Sequence, residues 1–247
     1  MLRFTGRVPA AILLASCAIT AGAQEIKVGS VVHLNQILGS DEPRNLYLDT
    51  QGRVKDQPAF KQNKQLATSI FVFTNFKQDR DKGSGSWKVH CPGKADGAAI
   101  AYGDKIKLEN MYPGTGFLYD VNYFERGIYG DIFKRRGREM DDHAVFTQPM
   151  SPFFATDWVV GGGPGVKKGA VVKAGDSITL ESLGHGRLDS AVNDASVGFG
   201  YFLRAGIPAE ELAMFKSYNT QELVFTSRFS FVRGFPEDMS FWTISLK

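Results

Sequence analysis

The chain has 247 residues but only two cysteines. Cys17 lies in an apolar N-terminal segment, so Cys91 is left without a partner if that segment is removed. We therefore expect no intramolecular disulfide, and a fold that depends on its hydrophobic core. Hydrophobic residues make up 43% of the chain, which is ample for such a core and argues against disorder.

An excess of one charge is also lacking. The formal net charge is +3, and removing Arg3 and Arg7 with the N-terminal segment leaves 27 basic residues against 26 acidic ones. A nearly neutral mature protein gives no general case for binding nucleic acid or an anionic membrane surface. We expect no nucleic-acid partner.

Sequence motifs of common catalytic sites are missing. The chain contains no His-Glu-x-x-His, no Gly-x-Ser-x-Gly and no Cys-x-x-Cys. The glycine-rich run 161–165 lacks the Gly-Lys-Ser/Thr of a phosphate-binding loop, and the four histidines have no paired metal spacing. His33 alternates with the apolar Val32 and Leu34, which predicts that it points to solvent. The sequence predicts a non-enzymatic protein without cofactor or metal.

The N-terminus has the pattern of a secretion signal. Two positive charges precede a mostly apolar stretch, 8–20, which is shorter than the roughly 20 residues that span a bilayer. Ala21-Gly22-Ala23 fits a small-x-small cleavage site. We predict a signal peptide at 1–23 and a secreted or periplasmic protein. The alternative is a lipobox at 14–17, in which case Cys17 would be lipidated and anchor the protein to a membrane.

A pattern of four short sequence segments occurs three times along the chain. Each copy opens with a glycine and an alternating strand that ends in Leu, at 29–34, 103–108 and 175–180. A short strand with a Leu and an acid follows, at 47–49, 117–120 and 187–189. The third part is Val-Phe-Thr and a polar residue, at 72–75, 145–148 and 224–227. The fourth begins with the only three tryptophans, Trp87, Trp158 and Trp242.

A β-trefoil has twelve strands in three units of four, and the sequence predicts this number. Each unit has an apolar face that it cannot bury alone, and three units closing around a common axis would cover it. We predict an all-β domain at 24–247 with repeats at about 25–100, 101–172 and 173–247. The repeated Leu, Phe and Trp residues are predicted to form the core.

The junctions between units carry a resemblance to a known family. A closing Trp, a Gly-rich turn and a short apolar strand precede Gly-Asp-x-Ile-x-Leu, which occurs at 103–108 and again at 175–180. This order resembles the MIR repeat, whose trefoils are related to the ricin-type lectin fold, and the resemblance covers about 25–247. Two departures are visible: Ser30 replaces the Asp in the first unit, and the closing Gln-x-Trp of ricin-type lectins is absent. A ricin-type sugar site is therefore not carried over.

Two insertions interrupt the repeat. Residues 122–142 extend the second unit with aromatic side chains followed by the basic run 134–138. Residues 208–218 in the third unit predict a short helical insertion, because Pro208 suits a first helical turn and acidic residues follow it. Extra loop length on a regular scaffold is a common place for function.

The trefoil resemblance favours a lectin-like, carbohydrate-binding protein with a glycan or glycoprotein as partner. A sugar site needs a carboxylate or amide for the hydroxyl groups and an aromatic face for the C–H surface. The three repeated aspartates are taken as equivalent surface positions. Asp49 and Asp120 have tyrosines nearby, whereas Asp189 has no aromatic neighbour, so the third site is expected to be weak or lost. The predicted carbohydrate-binding residues are Tyr47, Asp49, Tyr119, Asp120, Tyr123, Asp189 and Asn193. The alternative for the aspartates is that they cap turns.

A second hypothesis is a protein-binding adhesin, inhibitor or accessory subunit that uses the loop 123–138. Tyr and Arg dominate interface hot spots. The predicted partner-binding residues are Tyr129, Phe133, Arg135, Arg136 and Arg138. A third hypothesis is that the basic run 134–138 binds anionic polysaccharide or phospholipid head groups, in which case binding would weaken with salt.

Overall fold

In a computed structural model of the chain, the described residues are 23–38, 44–56, 66–121, 143–183, 185–190, 224–227 and 241–247. They form twelve strands: β1 Val31–Leu38, β2 Arg44–Arg53, β3 Ile70–Asn75, β4 Trp87–His90, β5 Lys105–Asn110, β6 Gly116–Val121, β7 His143–Gln148, β8 Trp158–Gly162, β9 Ser177–Ser182, β10 Gly186–Ser190, β11 Val224–Ser227 and β12 Trp242–Leu246. Two 3-10 helices accompany them, Val54–Asp56 and Pro152–Phe154. The predicted all-β class is confirmed. Within these ranges no helix is long and apolar enough to cross a membrane.

Six of the strands close into a ring. Going around it, β1 pairs with β12, β12 with β9, β9 with β8, β8 with β5, β5 with β4, and β4 with β1. Every pairing is antiparallel. Closure leaves these six strands without an open edge, which removes the usual site of unwanted strand pairing.

The other six strands form three hairpins attached to the ring. β2 pairs with β3, β6 with β7, and β10 with β11. The strand β7 also pairs with both β3 and β11, so the hairpins join one another. In each case the first hairpin strand pairs with the ring strand that precedes it in the chain.

The core contains the three tryptophans and the three repeated leucines, all fully buried. The indole Nε1 of Trp87 donates to the Leu48 carbonyl oxygen at 3.0 Å. The same bond joins Trp158 to Leu118 at 3.4 Å and Trp242 to Leu188 at 3.0 Å. A ring strand is thereby tied to a hairpin strand three times in the same way, and the predicted core role of these residues is confirmed.

Short bridges connect the segments that lead into the ring strands. They join Glu25 to Lys173, Lys27 to Ala99, and Ala101 to Val171. Beside them, the Tyr102 hydroxyl donates to Asp176 Oδ2 at 2.9 Å. Burial and this carboxylate raise the pKa of Tyr102 to about 12, because both disfavour the phenolate.

His33 does not point to solvent, so that prediction is wrong. Its side chain is buried, and its Nδ1 hydrogen-bonds with the Gly85 carbonyl oxygen at 2.9 Å. The segment that precedes β4 covers the outer face of β1, and residues 32–36 are buried on both faces of the strand. Alternation along a strand assigns faces but does not show which of them are covered.

The turn before β6 requires glycine at two positions. Gly114 and Gly116 have φ of 80° and 77°, in the left-handed region. Space for a side chain differs sharply between them: nothing lies within 4 Å of a Cβ at Gly114, whereas a Cβ at Gly116 would lie 2.2 Å from the Gln148 carbonyl oxygen. The second glycine is therefore fixed by backbone packing as well as by its dihedral angle. The predicted signal peptide, apart from Ala23, and the predicted helix at 208–218 fall outside the described residues.

Candidate functional site

The predicted equivalence of the three aspartates holds for only two of them. Asp49 and Asp189 directly follow the repeated Leu of their strands, whereas Asp120 lies two residues after Leu118, and Tyr119 takes the equivalent place. Asp49 pairs with Phe73, Asp120 with Val145, and Asp189 with Phe225. Their carboxylates are not on the surface: Asp49 is 0% and Asp189 is 9% exposed, and the Asp120 side chain is 4% exposed. The expectation of three surface positions is therefore wrong, because each carboxylate turns inward to meet hydrogen-bond donors of the fold.

Asp49 and Asp189 each accept the same kind of local hydrogen bond. Oδ1 of Asp49 accepts from the Thr50 backbone N–H at 2.7 Å, and Oδ1 of Asp189 accepts from the Ser190 N–H at 2.7 Å. A side chain that caps a turn accepts from the N–H two or three residues further on, so these bonds to the next N–H do not have the pattern of a turn cap. The Ser190 hydroxyl in turn hydrogen-bonds with Gln36 of β1.

Asp120 has different partners from the other two. Its Oδ1 accepts from the Thr156 hydroxyl at 2.8 Å, and its Oδ2 lies 2.6 Å from His185 Nδ1. The loop before β8 and the turn between β9 and β10 are thereby held to β6. This aspartate links three segments of the chain and leaves little of its carboxylate for a ligand.

The predicted tyrosines are only partly accessible. Tyr119 packs against Phe146, and its hydroxyl lies 3.4 Å from the Ser69 hydroxyl. Burial raises the pKa of Tyr119. Tyr47 is half-buried and meets His33 edge-on, with ring centroids 6.4 Å apart. The remaining predicted site residues lie outside the described residues: Tyr123, Asn193, Tyr129, Phe133, Arg135, Arg136 and Arg138.

A cleft of about 510 Å³ opens beside Asp49, on the first hairpin. Its walls are the end of β2 with the following 3-10 helix, the start of β3, the loop before β4, and the turn between β5 and β6. The lining residues are Thr50, Gln51, Gly52, Arg53, Lys55, Asp56, Ala67, Thr68, Ile70, Arg80, Asp81, Ser84, Tyr112, Pro113, Gly114 and Pro149. A volume of this size is in the usual range for small-molecule sites.

Asn110, a buried residue at the end of β5, joins three of these walls. Its Nδ2 donates to the Ser84 carbonyl oxygen at 2.8 Å, and its Oδ1 accepts from the Thr50 hydroxyl at 3.2 Å. The same Oδ1 accepts from the Tyr112 backbone N–H at 3.1 Å and the Thr115 hydroxyl at 3.0 Å. The turn that carries the Tyr112 ring is therefore fixed relative to β2 and to the loop before β4.

Arg80 supplies a fixed positive group to the cleft. Its Nε donates to Asp49 Oδ2 at 3.0 Å, and its Nη2 donates to the Thr50 carbonyl oxygen at 3.0 Å. Burial raises the pKa of Asp49, and the positive charge of Arg80 and the hydrogen bonds oppose that rise. About a quarter of the Arg80 side chain (24%) remains exposed. Asp49 thus lies behind the arginine and orients it toward the accessible side.

The loop that carries Arg80 is anchored by its neighbour Asp79. The two oxygens of Asp79 accept from the Gly83 N–H at 2.8 Å, the Ser86 hydroxyl at 3.0 Å and Lys247 Nζ at 2.7 Å. Burial favours the neutral acid, but these donors outweigh it and lower the pKa of Asp79. The last residue of the chain therefore helps to hold the wall of the cleft.

The chemistry of the cleft is mixed and polar. Arg53 and Lys55 add exposed cations, and Asp56 and Asp81 add carboxylates. Tyr112 supplies an aromatic surface next to them. Such a set offers donors, acceptors and one ring, which suits a ligand rich in hydroxyl groups. No group of three or more His, Cys, Asp or Glu that could hold a metal occurs in the described part of the chain.

Sequence reasoning missed Arg80, Asn110 and Tyr112. A signal for the second was present: the residue two places after the Leu of each opening strand shares the Leu face and should be apolar. It is polar in all three units and buried in each, as Gln36, Asn110 and Ser182. A polar residue in a core-facing position indicates a buried hydrogen-bond network.

Comparisons with known proteins identify a shared fold. No protein-family model matches the chain, and no curated protein matches it. A Caenorhabditis elegans structural-genomics protein of unknown function is similar at 14% identity and a TM-score of 0.51, over 91% of this chain and 98% of that one. The Saccharomyces cerevisiae protein O-mannosyltransferase Pmt1-Pmt2 complex, solved with its sugar donor, is similar at 15% identity and a TM-score of 0.51. That match covers 90% of this chain but only 25% of the yeast chain, and identities this low show the fold alone.

Proposed function

We propose that the chain is a β-trefoil of three four-stranded repeats related to the MIR repeat. The six-stranded ring with three attached hairpins supports this architecture. So do the three equivalent bonds from tryptophan to leucine. The fold shared with a quarter of a protein O-mannosyltransferase chain supports the relation to MIR repeats.

The proposed function is that of a secreted, non-catalytic, lectin-like protein that binds a glycan or glycoprotein in the cleft beside the first hairpin. The observation that carries this proposal is the cleft itself, in which a fixed arginine, a tyrosine ring and several amide, hydroxyl and carboxylate groups lie together. Sugar recognition combines planar polar groups for hydroxyl pairs with an aromatic face for the ring's C–H surface. Membrane attachment enters this proposal only through lipidation of Cys17.

The proposal moves the site but keeps one of the predicted residues in use. Asp49 is buried behind Arg80 and acts as a positioning residue. Asp120 and Asp189 are engaged within the fold and are not part of the proposed site. Tyr112 replaces Tyr47 as the aromatic platform, because it lines the cleft.

The test is a glycan array probed with purified residues 24–247 at low and high salt. We expect binding to a related group of sugars that persists at high salt. Tyr112→Ala should remove that binding, because the exposed part of the ring provides contact area for the ligand, and a thermal melt checks that the variant is still folded. Lys105→Gln, an exposed cation on the ring strand β5 and away from the cleft, is the matched control and should bind like the wild type. A blank array, or full binding by Tyr112→Ala, would contradict the assignment.

A protein partner is the second candidate, and exposed phenylalanines favour it. Phe153 and Phe154 are 83% and 75% exposed, and their rings meet edge-on with centroids 5.2 Å apart. Lys107 donates to the Ala155 carbonyl oxygen and lies 2.8 Å from Asp157 Oδ1, so the loop that presents them is held in place. Large exposed aromatics on a fixed loop are typical of interaction surfaces.

Binding to a panel of glycoproteins before and after enzymatic deglycosylation separates the two candidates. Loss on deglycosylation supports the cleft. Persistent binding that disappears in the double variant Phe153→Ser/Phe154→Ser, or on deletion of 127–138, supports a protein partner. The cleft variant Tyr112→Ala should leave this second kind of binding unchanged.

A further inference from the structure

The guanidinium of Arg80 uses one of its edges in hydrogen bonds within the fold. Nε and Nη2 form the side edge, and these atoms bind Asp49 and Thr50. An arginine has five N–H donors in a rigid plane, and two of them are used here. Among the described residues no further acceptor meets this group, so the end edge, formed by Nη1 and Nη2, has no partner in the described part of the chain. Arg80 is also partly exposed and lines the cleft.

This arrangement fits a planar anion better than a lone hydroxyl group. A carboxylate accepts two parallel N–H bonds from one edge of a guanidinium, which gives both strength and direction. The cost of ordering a long side chain has already been met within the fold, because Asp49 and the Thr50 carbonyl hold Arg80 in place. A ligand carboxylate would therefore meet a preorganised partner.

The remaining charges in the cleft do not create a general attraction for anions. Arg53 and Lys55 are balanced by Asp56 and Asp81, while Asp49 balances Arg80 from behind. Selection must then come from the geometry of the arginine edge and not from net charge. Binding that depends on one bidentate contact is expected to lose little affinity as salt rises, unlike binding to a basic patch.

We propose that the cleft binds a sugar that carries a carboxylate, with that carboxylate on the Nη1 and Nη2 edge of Arg80 and the sugar ring against Tyr112. This inference rests on the proposed carbohydrate-binding function and gives its ligand a chemical class. A uronic acid and a sialic acid share the required chemistry, namely a planar carboxylate on a polyhydroxylated ring. The two are distinguished in the experiment below.

The experiment uses a glycan array probed with residues 24–247. The array carries uronate-containing and sialate-terminated oligosaccharides, each beside its methyl ester. Esterification removes the charge and one acceptor while leaving the ring and its hydroxyl groups unchanged. We expect at least about tenfold tighter binding of the acid than of its ester in one of the two sets, since a charge-assisted bidentate contact is lost. Titration calorimetry on the best acid and its ester then measures the ratio.

Three variants test the arginine. Arg80→Lys keeps the charge without the planar fork, and we expect it to lose most of the preference for the acid. Arg80→Gln leaves Asp49 buried without its cation, so the double variant Asp49→Asn/Arg80→Gln provides a neutral pair in the same space if the single variant is unstable. Lys105→Gln removes one positive charge, as Arg80→Gln does, but at a distance from the cleft. It should keep the full ratio of acid binding to ester binding. Tryptophan fluorescence checks the fold of each variant.

Each outcome separates this inference from the proposed function. Equal binding of acid and ester overturns the carboxylate inference and leaves carbohydrate binding in place. A preference for the acid that survives in Arg80→Lys and in the double variant overturns the role of Arg80. Failure of every glycan, charged or neutral, overturns both. A preference for the acid that disappears in Arg80→Lys and in the double variant but remains in Lys105→Gln supports the inference.

Discussion

Replacing each tryptophan with phenylalanine should give two large losses of stability and one smaller loss. The three indoles are fully buried and bond to equivalent leucine carbonyls, so they provide three versions of one interaction in a single chain. Only the bond length differs. Trp87 and Trp242 bond at 3.0 Å, whereas Trp158 bonds at 3.4 Å.

The expected magnitudes follow from two contributions. The smaller phenyl ring leaves a cavity, which costs roughly 1 to 2 kcal/mol at each of the three sites. Loss of the indole N–H leaves a buried carbonyl oxygen without this donor, at about 1 to 2 kcal/mol where the bond is good. The bond from Trp158 exceeds the usual upper limit of about 3.2 Å, so most of the second contribution is absent there. We expect losses of about 2 to 4 kcal/mol for Trp87→Phe and Trp242→Phe, and about 1 to 2 kcal/mol for Trp158→Phe.

Urea unfolding at fixed temperature measures these differences. Each variant keeps two of the three tryptophans, so intrinsic fluorescence still reports the transition. The slope of the transition should remain unchanged, which allows the midpoints to be compared directly. If Trp158→Phe costs as much as the other two variants or more, the reasoning from bond length is refuted. If all three cost less than about 1 kcal/mol, the indole bonds do not tie the hairpins to the ring.

Three further changes test other contacts. Gly114→Ala should cost about 1 to 2 kcal/mol for its left-handed backbone, whereas Gly116→Ala adds a clash with backbone and should cost at least about 3 kcal/mol or prevent folding, as measured by thermal unfolding. The lowered pKa of Asp79 means that its carboxylate stabilises the fold above the ordinary value of 3.8 and that this stabilisation is lost as the pH falls through the lowered pKa. The stability advantage of wild type over Asp79→Asn should therefore shrink between about pH 7 and about pH 2 in urea unfolding; an advantage independent of pH would contradict this. Ultraviolet titration of the folded protein should show a tyrosine ionising at about pH 12, and the absorbance change of this step should be smaller in Tyr102→Phe.

The recurrence of short motifs predicted much of the fold. Each of the twelve predicted strand segments overlaps an observed strand, because alternation of apolar residues and glycine-rich turns are local properties of the sequence. The tryptophans and leucines were assigned to the core for the same reason, and they are there. The structure adds how these strands pair: six close into a ring and six form attached hairpins.

The candidate site could not be predicted in the same way. The alternation of Leu48 and Asp49 places the carboxylate on the outer face of its strand, and Asp49 is nevertheless buried. The covering segment is the loop 76–86, whose run of polar residues gives no local sign of where it packs. Arg80 belongs to that loop, so the sequence gives no indication that it binds Asp49, which is 31 positions away. Burial on the second face of a strand is decided by long-range packing, which periodicity does not contain.

The three predicted aspartates differ in what they bind. Asp49 binds Arg80, a long cationic side chain that lines an accessible cleft. Asp120 is held by Thr156 and His185, and Asp189 by its neighbouring backbone N–H. If the cleft beside Asp49 is the binding site, the chain should bind one ligand. Calorimetry with a monovalent oligosaccharide should give a stoichiometry of about one, abolished in Tyr112→Ala, because one aromatic face serves one sugar ring. A stoichiometry of three would show instead that equivalent surfaces of all three units bind sugar, and that the cleft beside Arg80 is incidental.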